Sequence, residues 1–315
     1  MEIRQLETFV AVAKNLNFSK AAEEVHMSQP TISIHIKALE DCLNTQLLVR
    51  STKEVALSKA GKSFLVFAKK ILAVRDQALA DANGEDANAA GSIDILSSTI
   101  PAQYLLPEII ASFLKRRPNV IFRVAQADSR HVQREMGDFR YDFGLVGTAP
   151  DSDCFVHYPL CSDELVMILP NDAPPLPASL SGADGSGRQT MRNAFSEYVR
   201  RVPFVMRESG SGTRAEIEKI FSKTDVDMRD LHVAAYFPDT QSILLAVSKG
   251  MGVSLVSKVA ATMYVDAGLL KAVEMNDPLF HRHIHLLYNK QLWLSPMQQI
   301  FCDHARQFYG NNVFL

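Results

Sequence analysis

The sequence is short of the features that mark several protein classes. Only four cysteines occur in 315 residues, at positions 42, 154, 161 and 302. None forms a Cys-x-x-Cys pair and their density is far below that of a disulfide scaffold, so reduced thiols are expected. No run of about 18 uncharged apolar residues is present, which argues against a membrane-spanning helix. The opening MEIRQLETFV puts Glu2, Arg4 and Glu7 where a secretory signal needs an unbroken apolar stretch, and a cytoplasmic location is expected. Nor is there an excess of positive charge, because 33 Lys and Arg stand against 35 Asp and Glu, a net of -2. That balance excludes a chain coated in positive charge, but it does not exclude a local basic strip. What remains is ordinary globular composition, 47% hydrophobic and 22% charged, in a length that suits about two domains.

The first ninety residues read as helical. Ile3, Leu6, Phe9 or Val10, Ala13 and Leu16 recur at helical spacing. After a break at Asn15, Asn17 and Ser19, Ser19 can cap a short second helix over 20–26. Ser28 can cap a third, over about 29–43, with Pro30 in the first turn, where a missing N–H costs nothing. Two short helices joined by a tight turn outline a helix-turn-helix. Short apolar stretches at 47–49 and 55–57 flank a charged tip at 50–54 and read as a small wing. A helix follows from Lys59 to about Asn83, with Phe64, Phe67 or Ala68, Ile71, Ala78 and Ala82 on one stripe that calls for a partner, most simply a second copy. NGEDANAAG (83–91) reads as a linker.

On the third helix Ile32, Ile36, Leu39 and Leu43 share the buried face. Pro30, Ser33, Ile34 and Lys37 lie opposite, flanked by Gln29 and Thr31. Between Met27 and Leu39 the only formal charge is Lys37. A helix N-terminus bearing Gln, Thr and Ser can bond base edges and phosphates, and its dipole favours the phosphates. Residues 27–62 carry five bases (Lys37, Arg50, Lys53, Lys59, Lys62) against three acids (Glu40, Asp41, Glu54). On charge alone a solvated packing face fits equally well; the capped helix pair and wing favour DNA. Exposed Ile34 reads either as a thymine-methyl contact or as packing against a loop.

These residues carry a resemblance. LETFVAVAKNLNFSKAAEEVHMSQPTISIHIKALEDCLNTQLLVR, followed by LSKAGKSFL, resembles the N-terminal module of LysR-type transcriptional regulators. The matching pieces are F-S-x-A-A, S-Q-P-T-I-S at 28–33, I-x-x-L-E at 36–40 and Leu47–Arg50. The resemblance implies DNA contacts at Gln29, Pro30, Thr31, Ser33 and Arg50, with Lys37 and Lys53 beside them. Ile34 departs from the polar or basic residue usual there, and Leu48 from a frequent Phe. It further implies an imperfect inverted-repeat operator in double-stranded DNA, a homodimer or homotetramer, a small-molecule effector with no other cofactor or metal, and RNA polymerase as a further partner.

From Ser92 onward strands and helices alternate. Strands are expected at 93–97, 120–125, 143–147, 165–169, 204–207, 231–236 and 252–256, with helices at 102–117, 130–139, 213–223 and 240–249. This implies mainly parallel sheets covered by helices, an α/β domain of about 225 residues. The Pro-, Gly- and Ser-rich stretch 172–189 reads as an exposed loop. In the resembling family this half is periplasmic-binding-protein-like, two lobes around an effector cleft. The expected organisation is a winged helix-turn-helix at 1–58, a dimerising linker helix and hinge at 59–90, and an effector domain at 91–315. Lobe I would take about 91–162 and 268–315, and lobe II about 163–267.

Two strand-to-helix junctions support a cleft independently. Ser97, Ser98 and Thr99 end one strand ahead of a helix, and RESGSGTR (207–214) lies at another, with Ser209 and Ser211 between glycines that permit close backbone approach. Ser129 and Thr148 follow two further strands. Singly, each hydroxyl is a helix cap; together, Ser98, Thr99, Ser129, Thr148, Ser209 and Ser211 point to one cleft for an oxygen-rich, anionic metabolite. Glu208 also falls there and would repel an anion unless Arg207 or Arg214 offsets it. The R-E-x-G-S-G-T-R stretch resembles segments in regulators of carbon fixation and sulfur assimilation.

Rival readings stay open. Gly210, Gly212 and Ala215 satisfy G-x-G-x-x-A, a dinucleotide-enzyme signature, though late in the chain and with no base or nucleophile beside it. His281, His283 and His285 alternate and read as surface strand residues without metal-ligand spacing. Cys154 and Cys161 could form an oxidation switch, although buried inert cysteines are commoner. The expectation is a regulator and not an enzyme.

Overall fold

The computed structural model describes residues 1–50, 55–83, 91–180 and 187–309. Helices α1 (Ile3–Asn15), α2 (Phe18–Glu24) and α3 (Gln29–Leu43) close around Phe9, Val12, Ile32, Ile36 and Leu39, all fully buried. Helix α2 starts two residues before its expected position because Asn17, not Ser19, caps it, its side chain accepting from the Lys20 N–H at 3.0 Å. It also ends sooner, since His26 adopts φ 54 and turns the chain toward α3. Ser28 caps α3 as expected, accepting from the Thr31 N–H at 3.3 Å.

Strands β1 (Leu48–Arg50) and β2 (Val55–Leu57) pair antiparallel as the wing. Two residues of the family-like motifs explain how it is held. Glu40 accepts the Leu47 and Leu48 N–H groups at 2.8 and 3.1 Å, tying the wing base to α3. Gly61, in the first turn of α4 (Lys59–Asn83), sits where a Cβ would lie 2.0 Å from the Leu47 carbonyl oxygen. Only glycine lets helix and wing approach so closely. The apolar stripe of α4 is split: Leu65, Ala68 and Ala73 are buried, the first two in the α1–α3 core, whereas Phe67, Val74 and Leu79 are about half exposed or more. Ala78 and Ala82, expected on the same stripe as Phe64 and Ile71, are exposed.

The second part begins with β3 (Gly91–Ser97). A π-helical turn, Pro101–Leu105, runs into α5 (Leu106–Leu114), in place of the single helix expected over 102–117. Then come β4 (Val120–Gln126), α6 (Ser129–Gly137), β5 (Phe143–Val146) and β6 (Phe155–Leu169). Next are α7 (Arg188–Arg201), β7 (Phe204–Arg207), α8 (Gly212–Lys223), β8 (Val233–Phe237) and α9 (Thr240–Ser248). The chain finishes with β9 (Ser254–Ser257), α10 (Lys258–Asp266), β10 (Lys271–Val273), β11 (His281–Asn289) and α11 (Pro296–Phe308). Helix α7 takes the last residues of the stretch expected to be a loop.

The expectation of mainly parallel sheets holds for β3 with β4 and β5, and for β7 with β8. It fails elsewhere, because β6 is antiparallel to β9, β10 and β11, and β11 is antiparallel to β5. The reason is one long strand. Over its 15 residues β6 leaves the first sheet and enters the second, and β11 returns beside it. Only the last third of β6 is legible in the sequence, since His157, Pro159, Asp163 and Glu164 interrupt its apolar pattern. The second lobe also extends beyond position 268: β10 pairs with the far end of β6, and Met275 and Phe280 lie in the second core, so the return is made by β11.

Candidate functional site

On the DNA-binding module, Gln29, Pro30, Ile34 and Lys37 are exposed, and Thr31 and Ser33 are half-buried. Ser33, Ile34 and Lys37 line a groove whose other wall is Gln46, Leu48 and Val49 of the wing, with Glu40 at its base. Ile34 is 65% exposed and Val49 is 55% exposed, so neither is taken up by internal packing. The loop-packing reading of Ile34 thereby loses its support. Arg50 ends β1 at the wing tip, and Lys53 lies outside the described residues. Leu48, the departure noted for a frequent Phe, is 3% exposed and belongs to the core.

In the second part, one cavity lies where the two lobes meet. Its walls are Ser98, Thr99 and Ile100 after β3, Asp128 and Ser129 at the start of α6, Gly147 after β5, Ser211 to Thr213 at the start of α8, and the side chains of Arg207 and Arg282. The four expected hydroxyls Ser98, Thr99, Ser129 and Ser211 are brought together here. Three expected residues are not. Ser209 is exposed, because Gly210 (φ 99) reverses the backbone before α8, and Thr148 stands outside the lining. Glu208 also lies off the cavity and accepts from Arg207 Nη2 at 3.1 Å, which answers the charge difficulty it raised.

Arg282 was missed, and it is the most tightly held group in the site. It comes from β11, the strand whose alternating histidines drew attention instead. Its Nε donates to Asp163 Oδ2 at 2.8 Å, its Nη2 lies 2.8 Å from the same oxygen, and its Nη1 donates to Thr213 Oγ1 at 3.1 Å. Asp163, on β6, is fully buried and also accepts from Ser257. Arg207 donates through Nη1 to Thr240 Oγ1 (3.2 Å) and through Nη2 to the Pro238 carbonyl (2.9 Å), but its buried Nε has no partner. The buried Ser129 hydroxyl has none either. Buried donors are rarely left unmatched, so the pair asks for an acceptor that is not part of the chain.

The lobes touch. A Cβ on Gly212 would lie 2.6 Å from Ser129 Oγ, one on Gly210 would lie 2.9 Å from Asp128 Oδ1, and one on Gly147 would lie 3.0 Å from Arg282 Nη1. About 10 Å³ is left between them, room for about one water molecule. With the lobes in this contact the space excludes a dinucleotide and any other ligand larger than water, so a ligand enters only when the lobes part, and Gly210 and Gly212 are accounted for by the contact between them. The oxidation switch fares no better. Cys161 is buried, with burial and Asp163 pushing its thiol up to about 12, while Cys154 is exposed. His283 is exposed as expected, but His285 is half-buried, with its Nδ1 3.3 Å from that of His157. Among the described residues no group of three or more His, Cys, Asp or Glu side chains could hold a metal ion, and no helix is long and apolar enough to cross a membrane.

A winged helix-turn-helix carried on a long helix and followed by a two-lobed α/β unit with a polar interlobe cavity defines a one-chain sensor and DNA reader. Comparison with known proteins gives the family. Residues 3–62 match the model of the bacterial regulatory helix-turn-helix protein of the lysR family, and residues 86–310 match the LysR substrate binding domain. The chain belongs to the LysR family of transcriptional regulators. It is 31% identical over 290 residues to an uncharacterized HTH-type transcriptional regulator of Methanocaldococcus jannaschii, covering 92% of this chain and 93% of that protein. Full-length OxyR from Pseudomonas aeruginosa, solved as a cysteine-to-aspartate variant, has the same fold, with a TM-score of 0.73 at 20% identity, covering 98% of this chain and 95% of that one. The regulatory domain of CcmR from Synechocystis PCC6803, solved in complex with 2-PG, superposes with a TM-score of 0.59 at 20% identity, covering 71% of this chain and all of that one.

Proposed function

We propose that this regulator is switched by a small anion bound between its lobes and has no catalytic activity of its own. The observation that carries this reading is the pair of buried, unpartnered donors, Arg207 Nε and Ser129 Oγ, one on each lobe, beside the N-terminus of α8. An oxyanion accepts from such donors, and the helix dipole favours its charge. A ligand bonded to both lobes stabilises one relative placement of them, and so shifts the population between two assemblies. The two arginines are held by Asp163, Thr213, Thr240 and Pro238, and a guanidinium donates hydrogen bonds to an anion but takes no proton from a substrate. That the regulatory domain of CcmR, which shares this fold, was solved in complex with 2-PG supports a small-molecule ligand for this unit.

In this reading Gln29, Thr31, Ser33 and Ile34 meet base edges in the major groove of an inverted-repeat operator. Pro30 sets the first turn, and Lys37, Arg50 and Lys53 meet phosphates. The exposed stripe Phe67, Val74 and Leu79 packs against a second copy. The test has two arms: mobility shift on the upstream region of the protein's own gene, and a thermal-shift screen of sulfate, phosphate and small carboxylates on the full chain. Specific retardation that one anion changes, together with a rise in Tm with that anion, is the expected result. No specific retardation, or no anion that raises Tm, would sink the respective half of the proposal.

A further inference from the structure

Six ionisable side chains gather where the DNA-binding module meets the first lobe, and none belongs to either site above. Lys14, at the end of α1, donates to Glu24 of its own module at 2.8 Å and to Asp94 of β3 at 2.7 Å. Arg123 of β4 lies 3.5 Å from Glu24 and 3.7 Å from Asp94. Lys69, on α4, lies 3.8 Å from Asp142, the residue just before β5, and Asp142 accepts the Asp94 N–H at 2.9 Å. Lys14, Lys69, Asp94 and Asp142 are each 20% exposed or less. The contact has an apolar part as well: Phe139, from the turn after α6, packs against the core of the DNA-binding module, and Lys70 lies over the Trp293 ring at 5.0 Å. Two lysines of one domain meeting two aspartates of the other, mostly out of solvent and beside an inserted aromatic ring, is a matched interface. Isolated surface ion pairs contribute little, whereas a network with desolvated members fixes orientation.

We propose that the first lobe carries a docking surface for the DNA-binding module of its own chain, built on Asp94, Asp142 and Phe139. Its placement gives it a role. Asp94 lies in β3, whose far end leads into Ser98 and Thr99 of the cleft, about 13 Å away at strand rise. Asp142 precedes β5, which leads into Gly147 of the same cleft. The same two strands therefore hold the module at one end and form the cleft at the other. A turn of the first lobe carries α3 with it as a rigid body, instead of being lost in a slack joint.

The cysteines allow a direct test on the native sequence. Cys42, on the DNA-binding module, and Cys154, on the first lobe, are exposed, while Cys161 and Cys302 are buried. Spin labels on Cys42 and Cys154, in chains diluted with unlabelled protein so that only distances within one chain are read, report how the module sits. Docking gives one narrow distance distribution. Lys14→Glu and Asp94→Lys should each lose that peak to a broad distribution, and the double variant, with the charges exchanged, should regain it. Phe139→Ser, which leaves every charge in place, should broaden it too. Narrow distributions in both single charge variants and in Phe139→Ser would overturn the proposal. So would a wild-type distribution as broad as theirs, or a narrow peak that vanishes on dilution, which would place the contact between copies. Each outcome is read without an effector, so it stands apart from the anion reading of the cleft.

Discussion

Replacing Arg282 with Met should separate what this side chain does for stability from what it does for ligand. Arg282 is 5% exposed and faces Asp163, which is fully buried. Among the described residues, removing the guanidinium leaves that carboxylate with only the Ser257 hydroxyl as a side-chain partner. Breaking a buried pair in this way costs about 3–5 kcal/mol, because the remaining charge is desolvated and uncompensated. For a unit of this size each kcal/mol moves Tm by roughly 2–4 °C, so a fall of about 6–20 °C is expected in the effector-domain transition. Adding Asp163→Asn removes the orphaned charge and should return most of that loss, since exchanging a buried pair for neutral groups is often close to neutral. Anion response should be weakened in both variants, because Arg282 lines the cleft and holds Thr213 at the start of α8. The assay is calorimetric unfolding of the full chain with and without the anion found by screening. A single variant that loses less than about 1 kcal/mol would refute the buried-charge argument. A double variant that responds to the anion like the parent would remove Arg282 from the ligand's contacts.

Four further outcomes follow from the geometry. Gly212→Ala would press a methyl group into Ser129 across the cleft, 2.6 Å from its Oγ; overpacking of about 1–3 kcal/mol should raise the anion concentration for half response by roughly 5-fold to 100-fold, read by titration of operator binding. Gly61→Ala should force α4 off the wing at Leu47 and abolish operator binding at 37 °C, while leaving the anion-induced Tm shift of the effector domain in place. Lys37→Ala should weaken binding to all DNA sequences and flatten the log–log salt slope by about 0.9; an unchanged slope would place Lys37 away from phosphate. For His285, burial and then the neighbouring His157 and His283 push the imidazole down to about 4. Its unfolded form titrates near 6.5, so between these values the unfolded chain binds more protons, and stability present above about pH 6.5 is lost as pH falls toward 4. The loss should be about 1–3 kcal/mol for this half-buried ring, and His285→Gln should remove it from the pH dependence of Tm.

How legible these features were depended on how local their causes are. The helix-turn-helix could be read because capping and 3.6-residue spacing act within a few residues: Ser28, Pro30 and the Ile32–Ile36–Leu39 face all lie as read. The start of α2 was misplaced because Asn17 and Ser19 are both competent caps, and only the chain's path into the turn decides between them. The roles of Glu40 and Gly61 show only in three dimensions, since each serves the backbone of Leu47. In the effector domain, hydroxyls at strand ends could be found, but the direction each one faces could not. Ser211 turns inward and caps α8, whereas Ser209, two residues earlier, turns outward across Gly210. Arg282 was beyond reach for a different reason. Its partners Asp163 and Thr213 are 119 and 69 residues away, and the antiparallel return of β11 along β6 that joins them leaves no periodic mark in either segment.

Formal charge is a poor guide to what the cleft binds. Arg207 and Arg282 are offset by Asp163 and Glu208, and Asp128 adds a further carboxylate, so a count of charges would predict repulsion of an anion. Yet each carboxylate is already engaged. Asp128 accepts the Arg130 and His131 N–H groups at the start of α6, Asp163 is held by Arg282 and Ser257, and Glu208 is held by Arg207. What remains unsatisfied is a set of donors: Arg207 Nε, the Ser129 hydroxyl and the free amides that open α8. A buried site is decided by its unspent hydrogen-bonding capacity, because that capacity is what a ligand can restore on leaving water. The same logic explains why a chain with a net charge of -2 reads DNA. Over the effector domain many of the arginines are engaged in ion pairs with neighbouring carboxylates, whereas Lys37 stands exposed on the recognition helix, whose N-terminal half carries no acid.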